Sequence, residues 1–341
     1  MSLPGRLLAR VATPLVLIAS LLLAPVARAE VDEIRIPLGA GGFGFLPLYV
    51  MKARNLIEHR AAEAGLAKLK VSWVQVGGPT AVNEALLSGS ADFIAAGPPG
   101  FLTLWSRTTT SNKVKSIAAM TALPTYLTVR QPRLKTLDDF GPNDKIAVTA
   151  PRVSIVSICM QMYARQKYGV PETYRFEAFS IPMSHADSTI AMLAGNNQIS
   201  AHWASPPFYQ RELKDPAIRT ITNTDELLGV PATFTMVSTT TKFHDENPKA
   251  TGAVLAALKD AVALIENDKE AAAKIFLEQE PGGFSTEEIV AILRRPDMRF
   301  GTTPHGIQKY ADFMFDTGVI KVRAASWKDA FFPEIQNAPG D

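Results

Sequence analysis

Residues 85–101 read ALLSGSADFIAAGPPGF, and residues 191–209 repeat the same plan as AMLAGNNQISAHWASPPFY. Each stretch is a helical run that ends at a glycine suited to a helix C-terminal cap, followed by a short apolar strand. Two consecutive prolines then open another helix. The repeat predicts two related halves built from strands and helices, and chance similarity between two common β–α units is the alternative.

The rest of the chain continues this alternation. Hydrophobic periodicity predicts strands at 31–38, 69–76, 92–96, 115–122, 145–149, 174–179 and 199–203, and helices at 46–59, 80–88, 100–107, 154–168, 184–194 and 207–213. From Pro248 onward the pattern is nearly all helical. Strands separated by helices predict a parallel α/β sheet in each half.

The first 29 residues have the pattern of a secretory signal peptide. Two arginines precede the apolar run Val11–Leu23, and Ala27-Arg28-Ala29 forms a small-residue cleavage site. A transmembrane anchor is the competing interpretation, but the run has 13 residues with a proline inside it, and a span needs about 20. We therefore expect a soluble protein, cleaved after Ala29 and free in a bacterial periplasm.

Charge and cysteine content narrow the class of protein. Cleavage after Ala29 leaves 32 basic and 33 acidic residues, so neither nucleic acid nor an anionic membrane surface is an expected partner. Cys159 is the only cysteine in the sequence, which excludes an intramolecular disulfide, a cysteine-rich metal site and a lipid anchor at the cleavage point. Its neighbours predict a buried helix face, where a free cysteine acts as a small hydrophobe.

A glycine-rich loop follows the first predicted strand. Residues 39–44 read GAGGFG, the spacing of a dinucleotide-binding loop. Such a site needs an acidic residue at the end of the next strand, and residues 68–78 contain none, so we reject NAD binding. The loop still favours a ligand, because glycines permit close backbone approach and a helix N-terminus offers free N–H groups. Phe43 and Phe45 are expected to form pocket walls.

The sequence indicates no enzyme class. Its five histidines, at positions 59, 185, 202, 244 and 305, lack metal-ligand spacing, and no G-x-S-x-G nucleophile motif occurs. The paired acids Asp138-Asp139 and Glu287-Glu288 lie at predicted helix or loop starts, where acidic residues suit the helix dipole. We therefore predict a protein that is not an enzyme and has no cofactor and no metal site.

Several segments together resemble one family of exported binding proteins. The matching stretches are LPLYVMKARNLIE (46–58), LSGSADF (87–93), LKTLDDF (134–140), NPK (247–249), TPHGIQKYADFM (303–314) and SWKDAF (326–331). In order and spacing they are similar to periplasmic solute-binding proteins of the nitrate, sulfonate and taurine ABC-import family. The resemblance implies a two-lobe flytrap fold of type II, with a mixed, mainly parallel sheet in each lobe and two crossing hinge strands.

The resemblance also implies lobe boundaries. One lobe is expected at residues 30–124 and 237–341, and the other at residues 125–236. The crossing segments are expected at Ala122–Tyr126 and Thr233–Val237. In this family the lobes close about the hinge on a solute, which requires that the solute bind the closed state better than the open one.

By position, the family's ligand loops fall on four segments and on two residues near the hinge. The expected ligand-binding residues are Gly42, Phe43, Phe45, Gly97, Pro98, Pro99, Thr121, Tyr126, Thr149, Arg152, Ser154, Trp203 and Ser205. Arg152 lies before a helix start, where it would clamp an anion, although an ordinary exposed arginine is the alternative. Trp203 ends a strand whose alternation is equally compatible with a place in the core.

These loops are poor in charge and rich in aromatic residues and proline. They favour a small organic solute, an anion such as a sulfonate or carboxylate, including aromatic ones. The resemblance implies a membrane permease and its ATPase as partners of a monomeric binding protein. The alternatives are a sensor that presents its ligand to a signalling receptor and a binding protein for a thiamine precursor of the pyrimidine class.

Overall fold

The computed structural model describes residues 29–39, 41–74, 78–108, 112–196 and 198–341. The predicted signal peptide, except its last residue, lies outside these ranges. Within them, no helix is both long enough and apolar enough to cross a membrane.

Strands and helices alternate through most of the chain. The strands are β1 (Glu33–Pro37), β2 (Lys70–Val74), β3 (Ile94–Ala96), β4 (Val114–Ala122), β5 (Tyr126–Val129), β6 (Ile146–Val148), β7 (Ser180–Pro182), β8 (Ala201–Ala204), β9 (Arg219–Asn223), β10 (Thr235–Thr240) and β11 (Arg299–Phe300). The helices are α1 (Leu46–Ala53), α2 (Leu56–Glu63), α3 (Gly78–Leu87), α4 (Pro98–Arg107), α5 (Ile155–Tyr168), α6 (His185–Ala194), α7 (Phe208–Glu212), α8 (Thr224–Leu228), α9 (Thr241–Glu246), α10 (Pro248–Asn267), α11 (Lys269–Gln279), α12 (Thr286–Leu293) and α13 (Ile307–Asp316).

These strands pair in three groups. β1 pairs in parallel with β2. A four-stranded sheet has the order β11-β4-β10-β3, and its pairings are antiparallel. A five-stranded sheet has the order β7-β6-β8-β5-β9, in which β6 pairs in parallel with β7 and β8, and β5 pairs antiparallel with β8 and β9.

The predicted α/β fold with mixed sheets is confirmed, but the pairings are less parallel than the alternation of strands and helices predicts. One reason is the path of β10, which returns from the five-stranded sheet and enters between β3 and β4 in the opposite direction; β11 and β5 are also antiparallel to their partners. A strand that returns in this way is antiparallel to both of its neighbours.

The strand predicted at 174–179 is wrong. Arg175–Phe179 forms a 3₁₀ turn, and the strand begins only at Ser180. In such a turn residues three apart lie on the same side, and the rings of Phe176 and Phe179 are accordingly 6.5 Å apart. The apparent alternation is therefore a three-residue repeat that buries Phe176.

The chain passes between the four-stranded and five-stranded sheets twice, and the two passages are hydrogen-bonded to each other. One passage joins β4 to β5, and the other runs from α8 to β10. The Phe234 N–H donates to the Thr121 carbonyl at 2.8 Å, and the Thr224 N–H donates to the Thr125 carbonyl at 3.0 Å. The passages therefore form one paired connection.

Helix α5 packs against both hydrophobic cores. One face joins the larger core, which surrounds the four-stranded sheet, through Ile155, Ile158, Cys159 and Met162. The other face joins the core of the five-stranded sheet through Val156, Met160, Tyr163 and Ala164. We call the first face the α5 seam; its residues are three or four positions apart, as one helix face requires.

The α5 seam contains the single cysteine. Cys159 is fully buried, as predicted, and its Sγ lies 3.5 Å from the Tyr310 hydroxyl on α13. Burial raises the pKa of the Cys159 thiol to about 12. Because the cores meet along α5, residues 31–341 form one compact unit.

We expect Thr235→Val to destabilise the protein. The Thr235 hydroxyl donates to the Gly44 carbonyl at 2.6 Å and lies 2.6 Å from the Thr121 hydroxyl. Valine leaves both groups buried without this partner, which costs about 1–3 kcal/mol in the free energy of unfolding. Urea unfolding measures the change.

Thr251→Val is the matched control. The Thr251 hydroxyl is buried without a hydrogen-bond partner in the described part of the chain, so valine is expected to leave the stability unchanged or to raise it. Equal losses for the two variants would contradict the role assigned to Thr235.

Candidate functional site

One edge of the five-stranded sheet collects the carboxyl ends of three strands. β6, β7 and β8 run parallel, so their ends lie together, and α5, α6 and α7 begin just after them. Tyr126, the first residue of β5, pairs with Ala204, the last residue of β8. The connection to the other sheet therefore leaves from the same edge, which is where ligands bind in open α/β sheets.

Two helix N-termini at this edge are capped by serine. The Ser154 hydroxyl accepts from the Ser157 N–H at 3.4 Å, and the Ser184 hydroxyl accepts from the Asp187 N–H at 3.1 Å. The first N–H groups of a helix have no partner within it and carry partial positive charge. The start of α5, which has no acidic residue in its first turn, is therefore electropositive without a charged side chain, whereas Asp187 in the first turn of α6 offsets this effect there.

Loops from the other half of the chain face this edge. The Phe43 N–H donates to the Pro206 carbonyl at 2.9 Å. A Cβ atom on Gly97 would lie 2.8 Å from the Ile155 side chain at the start of α5. We define the cleft as the region where Gly42, Gly97, Ser154 and Pro206 approach one another.

Only glycine fits position 42. Its φ angle is +80°, and a Cβ atom there would lie 2.9 Å from the Pro206 carbonyl oxygen and 3.2 Å from the Phe208 ring. The close backbone approach that the sequence predicts at this loop is therefore an approach to another part of the protein.

The carboxyl group of Glu280 is hydrogen-bonded to a backbone N–H of this loop. Glu280 Oε1 accepts from the Gly42 N–H and from the Tyr49 hydroxyl, both at 2.7 Å. Burial raises the pKa of Glu280, and these two hydrogen bonds oppose the rise. The Gly42 N–H is consequently not free for an anion, which corrects the expectation for this loop.

Three of the predicted aromatic pocket walls are core residues. Phe43 is fully buried, with its ring edge-on to Phe276 at 4.9 Å. Phe45 is nearly buried and lies in the same core. Trp203 is fully buried, and its ring N–H donates to the Met160 sulfur at 3.3 Å, so the alternative of a core position applies to it.

Arg152 is not brought to the cleft. Its side chain is 75% exposed and forms an ion pair with Glu177 at 2.7 Å, so the alternative of an ordinary exposed arginine applies. By contrast, Thr149 and Ser205 directly follow β6 and β8, and Pro98 and Pro99 open α4. These four residues and Ser154 lie at the facing edges.

The two residues expected near the hinge lie beside the paired connection. Thr121 is buried, and its hydroxyl is hydrogen-bonded to the Thr235 hydroxyl. The Tyr126 hydroxyl donates to Asp297 at 2.8 Å, and its ring lies 4.4 Å from that of Tyr209. Burial, with the hydrogen bond to Asp297, raises the pKa of Tyr126 to about 12.

Sequence reasoning missed Glu280, Phe208 and His185, which lie at or next to the cleft. Glu280 is 238 positions from Gly42, and no periodicity links them. Phe208 directly follows the paired prolines of the repeat, and this position is the one feature of the sequence that could have indicated a place beside the cleft. Among the described residues, no group of three or more His, Cys, Asp or Glu side chains is placed to hold a metal ion.

Comparison with solved structures identifies the fold. The alkanesulfonate-binding protein SsuA from Xanthomonas axonopodis pv. citri, bound to MOPS, has a TM-score of 0.69 at 19% identity, covering 89% of this chain and 99% of that one. The chain has the periplasmic binding protein fold. The predicted resemblance is thus confirmed at the level of fold.

Two further structures agree with this assignment. The periplasmic aliphatic sulphonate-binding protein SsuA from Escherichia coli has a TM-score of 0.65 at 18% identity, covering 89% of this chain and 92% of that one. The nitrate-binding protein NrtA from Synechocystis PCC 6803 has a TM-score of 0.68 at 14% identity, covering 89% and 87%. No protein-family model and no curated protein matches the sequence.

We expect Gly42→Ala to cost more stability than Gly89→Ala. Both glycines have a positive φ angle, but the ψ angle of −178° at Gly42 gives a conformation that is essentially restricted to glycine and costs alanine about 1–3 kcal/mol. The clash with Pro206 adds about 1–3 kcal/mol there, whereas the added Cβ at Gly89 meets no atom within 4 Å. Urea unfolding of both variants measures the combined difference, and equal losses would contradict the conformation and the contact assigned to Gly42.

We expect Glu280→Gln to stabilise the protein increasingly as the pH rises. Glutamine still accepts from the Gly42 N–H and the Tyr49 hydroxyl. The pKa of Glu280 is raised in the folded state, so ionisation above its ordinary value of 4.5 costs folding free energy that glutamine avoids.

Unfolding midpoints of both proteins at pH 4, 5.5 and 7 check this prediction. The difference should be smallest at pH 4 and grow in favour of the glutamine variant. A difference that favours the wild type more at pH 7 than at pH 4 would contradict the assignment.

Proposed function

We propose that the protein is the periplasmic substrate-binding component of an ABC importer, exported through its signal peptide. It captures a small organic solute in the cleft and delivers it to a membrane permease that works with an ATPase. The observation that carries this proposal is the approach of two loop-bearing sheet edges beside a paired connection, in the fold that alkanesulfonate-binding and nitrate-binding proteins share.

We further propose two lobes, of residues 30–124 with 237–341 and of residues 125–236. Every strand of the five-stranded sheet falls within 125–236, which supports this division. The paired connection acts as the hinge, and the monomer closes on its solute because the solute contacts both edges only in the closed state.

The solute is an organic acid, a sulfonate or carboxylate, and its acid group lies at the start of α5. The N-terminus of this 14-residue helix favours negative charge. One observation argues against the other end of the cleft: Glu280 already holds the Gly42 N–H there, and its carboxylate repels an anion. At the start of α5 itself, Arg152 is exposed and paired with Glu177, so we assign the acid group to the helix N-terminus and not to this side chain.

A thermal-melt screen of residues 30–341 tests the function. The panel contains nitrate, taurine, alkyl and aryl sulfonates, aromatic carboxylates and an aminopyrimidine thiamine precursor, with neutral sugars as controls. A solute at 100 times its dissociation constant adds about 2.7 kcal/mol to the free energy of unfolding. We expect a shift confined to organic acids.

Arg152→Ala is the control variant in this screen. Because the side chain is exposed and pairs with Glu177, we expect the affinity for the solute to stay within about twofold and the stability to change by less than about 1 kcal/mol. No shift of the wild-type protein with any member of the panel would contradict the proposed function.

A further inference from the structure

Three polar side chains form a continuous hydrogen-bonded chain that ends next to the cleft. His185 Nδ1 lies 2.9 Å from His202 Nε2, and His202 Nδ1 lies 2.6 Å from Glu212 Oε1. His202 and Glu212 are both almost inaccessible to solvent. None of the importer's expected ligand loops includes this chain, and it does not have the spacing of a metal site.

The buried carboxyl group fixes the inner end of the chain. Two threonine hydroxyls also contact it: Thr189 donates to Glu212 Oε1 at 3.0 Å, and Thr128 lies 2.6 Å from Oε2. Oε1 is therefore an acceptor, and the His202 nitrogen that faces it carries a proton. A carboxyl group that sets the tautomer of a histidine in this way is a common arrangement.

The outer end depends on the tautomers of both rings. In the tautomer in which the only N–H of His202 is at Nδ1, His202 Nε2 is an acceptor and His185 Nδ1 donates to it. His185 Nε2 then carries no proton and is also an acceptor. Packing against neighbouring side chains, and next His202, lower the pKa of His185, which favours the neutral imidazole.

His185 lies where a solute in the cleft can reach it. It is the first residue of α6, directly after the capping Ser184. Its ring stacks on Phe208, with centroids 5.2 Å apart and planes at 23°. The Phe208 ring in turn lies beside Gly42. Among the described residues, His185 Nε2 has no hydrogen-bond partner, and the side chain is only partly buried.

We infer that His185 Nε2 accepts a hydrogen bond from the solute and that the site therefore selects organic acids that also carry an N–H or O–H donor. This inference rests on the proposed function and narrows it to amine-bearing or hydroxyl-bearing acids. With the acid group at the start of α5, the donor lies at the other end of the solute. His202 and Glu212 act as positioning residues that fix the acceptor state of His185.

Isosteric pairs of probes test the inference. Each pair differs only in the donor: 2-hydroxyethanesulfonate and 1-propanesulfonate, 4-aminobenzenesulfonate and 4-methylbenzenesulfonate, 4-hydroxybenzoate and 4-fluorobenzoate. Titration calorimetry on the wild-type protein should show that the donor member of at least one pair binds at least about tenfold more tightly than its isostere.

Two variants assign this preference to His185. His185→Phe keeps the stack on Phe208 and removes both nitrogens, and His185→Asn keeps an amide within reach of His202 but removes the outer acceptor. In each, the preference should fall below about threefold, while the affinity for the donor-free isostere stays within threefold. His59→Phe, a change at an exposed histidine, should alter neither, and melting curves of the unliganded variants check that they fold.

The outcomes separate the inference from the function on which it rests. Binding without a donor preference in the wild type overturns the assignment of His185 and leaves the proposed function standing. A donor preference that survives in both His185 variants does the same. If neither these six probes nor the wider panel binds the wild-type protein, the proposed function fails, and the inference fails with it.

Discussion

The position of the cleft depends on the hydrogen bonds between the two passages of the chain. Phe234 is bonded to Thr121 and Thr224 to Thr125, so the end of β4 is held beside the start of β10, the start of β5 is held beside the end of β9, and the two passages run side by side between the sheets. Once these ends are fixed, the loops that follow β1 and β3 must face the starts of α5, α6 and α7. The site is therefore a consequence of how the sheets are connected, and its side chains refine a geometry that the backbone already sets.

The α5 seam opposes separation of the two halves. Opening about the paired connection exposes Ile155, Ile158, Cys159 and Met162, which now lie in the larger core, and exposing a large apolar side chain costs about 1.5–3 kcal/mol. The electropositive start of α5 and the acceptor proposed on His185 act in the opposite sense when the cleft is empty, because closure removes them from water without supplying partners. A solute with an acid group and a hydrogen-bond donor supplies a partner to each of them. Its contacts then add to the stability that the α5 seam gives the closed state.

The sequence predicts the α/β fold well because the fold depends on local patterns. The repeat of helix, glycine cap, strand and paired prolines can be recognised within about twenty residues of sequence. The direction of β10 cannot be predicted in this way, because it is set by the return of the chain from a distant sheet. The same limit applies to the site. Glu280 reaches Gly42 across 238 positions, His185 and His202 share no periodicity, and neither the exposure of Arg152 nor the burial of Trp203 follows from its neighbours in the chain.

Native-state labelling of Cys159 tests most directly whether the two halves open about the paired connection. The thiol is buried in the α5 seam, so an alkylating reagent reaches it only when the seam opens or the protein unfolds. The account predicts that, at low urea, Cys159 reacts through a partial opening whose free energy depends on urea much less steeply than global unfolding does. A urea dependence equal to that of global unfolding at all concentrations would contradict the account, because it would mean that the seam never opens in the folded protein.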